Sequence, residues 1–537
     1  MESQRIMLRI TINRPAVAIA ALMAVALTGC NDRWDEHYTP SSETTAEGTV
    51  YEMIKNNPEL STFGRMVDVA GYGELLNSSQ TFTAWVPSND ALAGVDLNDV
   101  DEVKRVVANH IARFNVSSAT PEGKGVRMYN GKMHYYEGNT FGGVAVKQND
   151  IVLENGVIHI LSSQIPYSYN IREYIDTHSS TSKLAEFLKR FDEEKFDEAL
   201  STPIDIDENG ATVYDSVKVS YNRIFQHPVY GLGDILSEDS VFTMIVPDNM
   251  AWNRAYEQIS PLFNVYDSDA AKADSIRDTQ TSLAIMRDLI FRSRITDPFS
   301  MGLTITTSGC EIPDMGAFFY GTDKINASNG MIYTTSAVNY SATDTYNPQI
   351  DVEAENPTGR VRGTGTTIYT RVVSTDNPYY NEISDGSYIE VSATSVSRQP
   401  GVTFEVPNTL SGKYDIYASF VPASVDDASV TGDKTRVRFV LTYMGANGRS
   451  VEKAFADDSF LTNATEMTTI KVAEGFLLPV SNFYDNLWLM EDGNDESSKT
   501  CTTKLYIATN VTNAEFNRNE LTRRFRVDRI YFVPTNE

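Results

Sequence analysis

Three cysteines in a chain of 537 residues leave little cysteine chemistry to write. Cys30, Cys310 and Cys501 show no zinc-ligand spacing and supply no disulfide framework, so stability must come from packing. Histidine is nearly as scarce: six occur, none in His-Glu-x-x-His or another compact ligand spacing, which argues against catalytic zinc. No Gly-x-Ser-x-Gly elbow, P-loop or dinucleotide-binding glycine pattern stands in a strand-to-helix setting, so hydrolase and nucleotide chemistry of those classes has no support. Positive charge is short as well. With 45 Lys and Arg against 72 Asp and Glu, the net charge is −27, and the basic clusters that neutralise phosphates are missing. Nucleic acid is excluded as a partner, and polyanions in general meet an opposing field. The apolar run Pro15 to Leu27 falls short of the roughly 20 residues a membrane-spanning helix needs. What the chain has in quantity is aromatic: 28 Tyr and 24 Phe, with abundant Thr, Val and Ile, lean toward sheet-rich structure. Its length exceeds what one core usually serves and predicts three domains.

The apolar run belongs to a leader. Arg5, Arg9 and Arg14 precede it, and Leu27-Thr28-Gly29-Cys30 closes it. This pattern resembles a bacterial lipoprotein signal, which implies cleavage before Cys30, lipidation of that thiol, and tethering by acyl chains with the polypeptide in water; the alternative is an unlipidated secretory signal. Asp32, Asp35 and Glu36 follow at once and resemble the surface-export signal of Bacteroidetes lipoproteins. The expected location is the outer membrane, facing outward. Residues 30–48 read as an acidic spacer without apolar periodicity.

From Thr49 the pattern becomes structural. Val50, Met53 and Ile54 share a helical face; Asn57 caps a second helix with Pro58 at its first position and Leu60, Phe63, Met66, Val67 and Ala70 on one side, and Gly71 stops it. Phe82-Thr83-Ala84-Trp85-Val86-Pro87 reads as a strand, and Ser88-Asn89-Asp90 as a fresh cap. Asn155-Gly156 suits a tight hairpin turn before the buried strand Val157 to Leu161. Taken together, Phe82-Thr83 with Pro87, Asn89 and Ala91, then Asn109-His110, then Asn155-Gly156-Val157-Ile158-His159 and Pro166 resemble the signatures of a fasciclin domain, here over 49–168. Phe242-Thr243 with Pro247, Asn249 and Ala251, and Asn329-Gly330-Met331-Ile332-Tyr333, repeat the order, which implies a second fasciclin-like domain over 169–344. Tyr333 stands where histidine is usual, and Arg287-Asp288-Leu289-Ile290 occupies the Asn-His place. His110 and His159 are read as scaffold residues.

From about residue 345 β-rich runs take over, among them Ser387 to Val391, Val402 to Val406, Tyr414 to Ala418, Arg436 to Val440, Leu505 to Ile507 and Arg529 to Val533, separated by turns such as Pro407-Asn408. They predict an antiparallel β-sandwich over 345–537 and an α+β chain as a whole. Val352-Glu353-Ala354-Glu355, Gly386-Ser387-Tyr388 and Val527-Asp528-Arg529-Ile530 resemble carbohydrate-binding modules of the galactose-binding type; a sandwich serving as a spacer or docking surface is the alternative. Two aromatic loops are the sugar-stacking candidates, carrying Tyr379 and Tyr380 in one and Trp488 in the other, although the same rings suit packing under a loop. Asp205 to Gly210 matches the opening of a calcium loop but has Ser216 where the twelfth-position glutamate belongs, so it reads as a hairpin with an Asn209-Gly210 turn. No metal, cofactor or catalytic residue is expected. The combination resembles accessory lipoproteins of SusC/SusD-type importers, which implies glycan capture beside a TonB-dependent transporter and a SusD-like lipoprotein. A cell-surface adhesin is the second reading, and a polysaccharide-degrading enzyme ranks well below.

Overall fold

The computed structural model describes residues 46–535 apart from 122, 197–200, 207–211, 216, 486–488 and 490–499. Two compact units divide it: one ends at Tyr167, the other runs from Ser168 onward and includes Gly131–Met133.

In the first unit, helix Val50–Asn56 starts on a capping box between Thr49 and Glu52. The next helix begins at Ser61, later than the sequence predicts. The Asn57 side chain accepts the Glu59 N–H at 2.9 Å, and this local turn uses up the cap and carries Pro58 outside the helix. Gly71 closes the helix in the left-handed region, at φ 77°. Strand Phe82–Pro87 lies centrally, antiparallel to Ile111–Arg113 and parallel to Gly156–Leu161, within a seven-stranded sheet. Every residue of both long strands is buried, because helices cover one face and the sheet's far strands curl over the other.

The turn before Gly156–Leu161 differs from expectation. Glu154 and Asn155 occupy it, with Leu153 paired to Gly156, and neither turn residue has positive φ. The glycine is required for another reason: a Cβ on Gly156 would stand 2.0 Å from the Phe82 carbonyl oxygen of the parallel neighbour.

The second unit repeats this plan and then extends it. Helix Ile171–Thr177 also starts on a capping box, Asn170 with Glu173. Strand Phe242–Pro247 pairs antiparallel with Ile290–Arg292 and parallel with Gly330–Thr335, in a four-stranded sheet. Thr202–Ile206 and Thr212–Asp215 pair antiparallel, as the hairpin reading expects; the Asn209-Gly210 turn lies outside the described residues.

The sandwich follows. One sheet runs Thr366–Val372, Ser387–Ala393, Arg524–Pro534, Gly412–Phe420, Thr468–Leu478, with Ile350–Glu353 also on Arg524–Pro534; the other runs Arg360–Arg362, Gly401–Glu405, Lys504–Thr509, Val437–Met444, Ser450–Phe455. All pairings are antiparallel, and alternate residues such as Ile389, Val391, Phe404, Ile416, Phe439, Leu505 and Ile507 fill the space between. The sandwich is joined to the second copy by specific bonds. Ser411 N–H and Oγ donate to Leu262 and Pro261 carbonyls at 2.8 and 2.6 Å, Gln280 donates to the Phe483 carbonyl at 2.6 Å, and Leu410 sits in the core of that copy.

Candidate functional site

The signature residues of the two copies do the same work. Asn155 Oδ1 accepts the Val50 N–H at 2.8 Å while Nδ2 donates to the carbonyls of Leu76 and Ser78. Asn329 takes the Ile171 N–H at 2.9 Å and gives to Ile235 and Ser237. Asn89 and Asn249 likewise tie the strand end to the neighbouring helix start, accepting from Thr62 and Lys183. These are backbone anchors, with nothing left over for a ligand.

The histidines of the first copy are equally committed. His110 Nε2 accepts the Ile165 N–H at 2.9 Å, which places the ring proton on Nδ1 and gives it to the Val106 carbonyl at 2.7 Å. His134 Nε2 and Asn130 Nδ2 both donate to Asn109 Oδ1, at 2.9 and 3.0 Å. Burial lowers His110 to about 4 and His134 to about 3, the latter helped by the neighbouring His110. His159 lies 5.4 Å from Trp85 in a stack and donates to the Val116 carbonyl at 2.9 Å. In the second copy Tyr333 replaces it, and its hydroxyl donates to the Ile295 carbonyl at 3.1 Å. Val116 and Ile295 hold corresponding places, since each donates its N–H at 2.8 Å to the signature threonine, Thr83 or Thr243. One surface feature of the first copy stands out: Phe114 is 75% exposed at φ 71°, an uncommon backbone region for a bulky residue.

The sandwich offers an unspent surface. On the five-stranded sheet, inward Leu505 and Ile507 force Tyr506 to the outer face. There it is flanked by Thr403 and Val440, its directly paired neighbours. The ring lies across Gly401, where a Cβ would stand 2.3 Å from the Tyr506 hydroxyl, so glycine is what lets the ring lie low on the strand. The Arg438 guanidinium sits 5.9 Å from the ring centroid. In the adjacent row Lys504 and Glu405 pair at 2.7 Å, both about one-third exposed. A half-buried aromatic platform beside a guanidinium, a carboxylate, an ammonium and a hydroxyl is suited to a flat ligand rich in hydroxyl groups: apolar C–H faces stack on the ring, and the polar rim supplies donors and acceptors. The alternation Leu505-Tyr506-Ile507 was the signal for this residue in the sequence.

Of the residues proposed from sequence, Tyr379 and Tyr380 pack against a small cluster with Val373, Ile383, Tyr388, Val421 and Val425. The Tyr379 hydroxyl is bonded to Ser424 and to the Thr465 carbonyl, at 2.7 and 2.6 Å, and Tyr380 covers Gly386. Trp488 lies outside the described residues, as do Leu27, Thr28, Gly29 and Cys30. Among the described residues no helix is long and apolar enough to cross a membrane, and no group of three or more His, Cys, Asp or Glu is arranged to hold a metal ion. The two ends that carried the sandwich resemblance do meet, with the Ala354 N–H on the Asp528 carbonyl at 3.0 Å. Burial, added to by the mutual repulsion of Glu353, Glu355 and Asp528, pushes Glu355 and Asp528 up to about 7.

The fold is thus α+β, with two fasciclin-like domains followed by an antiparallel sandwich. The fasciclin domain family matches residues 58–166. No curated protein matches the chain. Among solved structures, the FAS1 domain pair of the insect cell adhesion molecule fasciclin I is 14% identical, with 54% of this chain and 99% of that one covered and a TM-score of 0.20. The tandem CBM22-1 and CBM22-2 domain of Paenibacillus barcinonensis Xyn10C is 14% identical over 38% of this chain at a TM-score of 0.22, and the chain spans about half of it, 53%. The CBM22-2 xylan-binding domain of the same enzyme is 14% identical, with 35% of this chain and 98% of that one covered and a TM-score of 0.21.

Proposed function

We propose that the protein is a noncatalytic cell-surface binding protein whose sandwich takes up a glycan on the outer face of its five-stranded sheet, with the fasciclin-like copies as the scaffold that presents it. The observation that carries this reading is the Tyr506 platform over Gly401, bordered by Arg438 and by the Lys504–Glu405 pair. The fasciclin domain over 58–166 supports the coarser part, a binding role at a cell surface. The leader ending at Cys30 supports lipid anchoring to the outer membrane, and the acidic residues after it support an outward orientation. In this setting the protein serves as an accessory of a SusC/SusD-type import system, handing glycan toward a TonB-dependent transporter and its SusD-like lipoprotein. Titration of the full chain with soluble polysaccharides tests the glycan reading. Saturable binding that falls at least tenfold in Tyr506→Ala supports it, and no binding across a broad neutral panel sinks it.

One observation favours the second reading, adhesion through the fasciclin-like copies. Phe114 is held exposed in a costly backbone conformation, while Ser293 takes the corresponding place in the second copy at φ 96°. Pulldown in mild detergent from the native membrane separates the two. Stoichiometric recovery of a transporter and a SusD-like protein supports the importer setting, whereas capture of another protein, lost in Phe114→Ser, supports adhesion.

A further inference from the structure

A cleft of about 320 Å³ opens where the second fasciclin-like copy meets the sandwich, inside the second compact unit. Pro407 and Phe483 form part of its apolar wall. Its polar lining is unevenly committed. Asp351 is already held by Arg529 at 2.9 Å and by the Gln349 amide at 2.9 Å, and Asp485 by the Asn408 amide at 2.6 Å. The donors are less committed. Arg287 has a side chain only 26% exposed, and its Nε lies 3.4 Å from the buried Asp288 carboxylate, yet neither terminal nitrogen has a hydrogen-bond partner among the described residues. The Asn347 side-chain amide is similarly unspent, and the Tyr414 hydroxyl accepts the Leu410 N–H at 3.0 Å, which leaves its own proton to give.

We infer that this cleft is a second glycan subsite that holds a single uronic acid unit, its carboxylate on the two free nitrogens of Arg287 and its hydroxyl groups on Asn347 and Tyr414. A guanidinium edge with both terminal nitrogens free matches a carboxylate bidentately, and a point charge would not. Two carboxylates on the lining and a net charge of −27 oppose a polyuronate, so the fitting ligand is an isolated acidic sugar on an otherwise neutral glycan. Phe483 and Pro407 supply the apolar surface against which a sugar ring rests. This inference rests on the reading of the protein as a glycan binder, but uses residues distinct from the Tyr506 face.

Calorimetric titration of the full chain with glucuronic acid, with glucose as the neutral counterpart, tests it. Glucuronic acid is expected to bind at least tenfold more tightly than glucose. Arg287→Lys keeps the charge and loses the fork, and is expected to weaken binding at least fivefold; Asn347→Ala, at a half-buried position with no structural bond through its amide, should weaken it severalfold without a change in unfolding temperature. Absence of glucuronic acid binding, or affinity unchanged in both variants, overturns the inference. Tyr506→Ala separates the two readings. If neutral glycans bind through Tyr506 and glucuronic acid does not bind, the cleft fails and the sandwich face stands. If glucuronic acid binds, depends on Arg287 and is indifferent to Tyr506 while neutral glycans fail to bind, the cleft stands and the face fails. Loss of glucuronic acid binding in Tyr506→Ala, with Arg287→Lys unchanged, moves the acidic sugar to the face and overturns the cleft.

Discussion

Asn155 and Asn329 each make the same three bonds to backbone, and Gly156 and Gly330 each sit under a carbonyl oxygen of the neighbouring parallel strand. Around that shared frame the two copies diverge. The first spends a cluster of buried Asn109, His110 and His134 with half-buried Asn130 on a seven-stranded sheet; the second puts Asp288 and Leu289 at the Asn-His place, bonds Asp288 to Ser308 at 2.6 Å, and keeps a four-stranded sheet joined to the sandwich. Backbone geometry therefore fixes asparagine and glycine, which no other residue replaces at those distances. A histidine whose job is one hydrogen bond and some ring area is replaceable, as Tyr333 demonstrates.

The largest expected effect tests the shared frame. Gly156→Ala and Gly330→Ala would place a methyl group 2.0 and 1.7 Å from backbone oxygens, so each should cost about 4 kcal/mol or more, read as loss of the corresponding unfolding transition in denaturant. Asn155→Ala and Asn329→Ala should follow at about 3 kcal/mol each, by leaving three backbone groups unpaired, two of them at buried bonds. A small effect at Asn329 with a large one at Asn155 would break the equivalence of the copies.

The first copy and the sandwich, which belong to different compact units, should also part company with pH. His110 and His134 have folded values depressed below 6.5, so the unfolded chain takes up protons that the fold refuses. Their contribution is complete above about 6.5 and is lost as pH falls toward about 4 for His110 and about 3 for His134. In the second unit Glu355 and Asp528 are raised from 4.5 and 3.8 to about 7, so their contribution is present below pH 4 and is lost as pH rises through about 7. Thermal unfolding between pH 4 and 8, followed by hydrogen exchange in each unit, should show opposite slopes for these contributions. His110→Leu should flatten the slope of the first unit, and paired Glu355→Gln and Asp528→Asn that of the second. The smallest effect sharpens the comparison at a single bond: Tyr333→Phe should cost about 1 kcal/mol, the worth of one hydrogen bond to the Ile295 carbonyl.

Much of this frame was legible in the residues. β-rich runs punctuated by turn residues gave the sandwich strands, because β-branched and aromatic side chains suit a half-buried pleated surface, and the repeated Phe-Thr and Asn-Gly signatures gave the two copies because backbone anchoring leaves few choices. The start of the Ser61–Ala70 helix was misplaced because an Asn57 turn imitates a cap. The role of Gly156 was misassigned because a clash with the carbonyl oxygen of Phe82, 74 positions earlier, leaves no local trace. The candidate site was reached only halfway. Aromatic loops drew attention to Tyr379 and Tyr380, whose rings pack in a small cluster, while Tyr506 lay inside an already recognised strand. Its neighbours Arg438 and Gly401 come from other strands, and only the sheet brings them together.

The most direct test of the central claim is glycan titration of the full chain alongside Tyr506→Ala and Tyr379→Ala, with folding checked by the unfolding temperature. Saturable binding that survives Tyr379→Ala and falls at least tenfold in Tyr506→Ala is the expected result. Binding that is untouched by Tyr506→Ala, or lost only in Tyr379→Ala, would contradict the account.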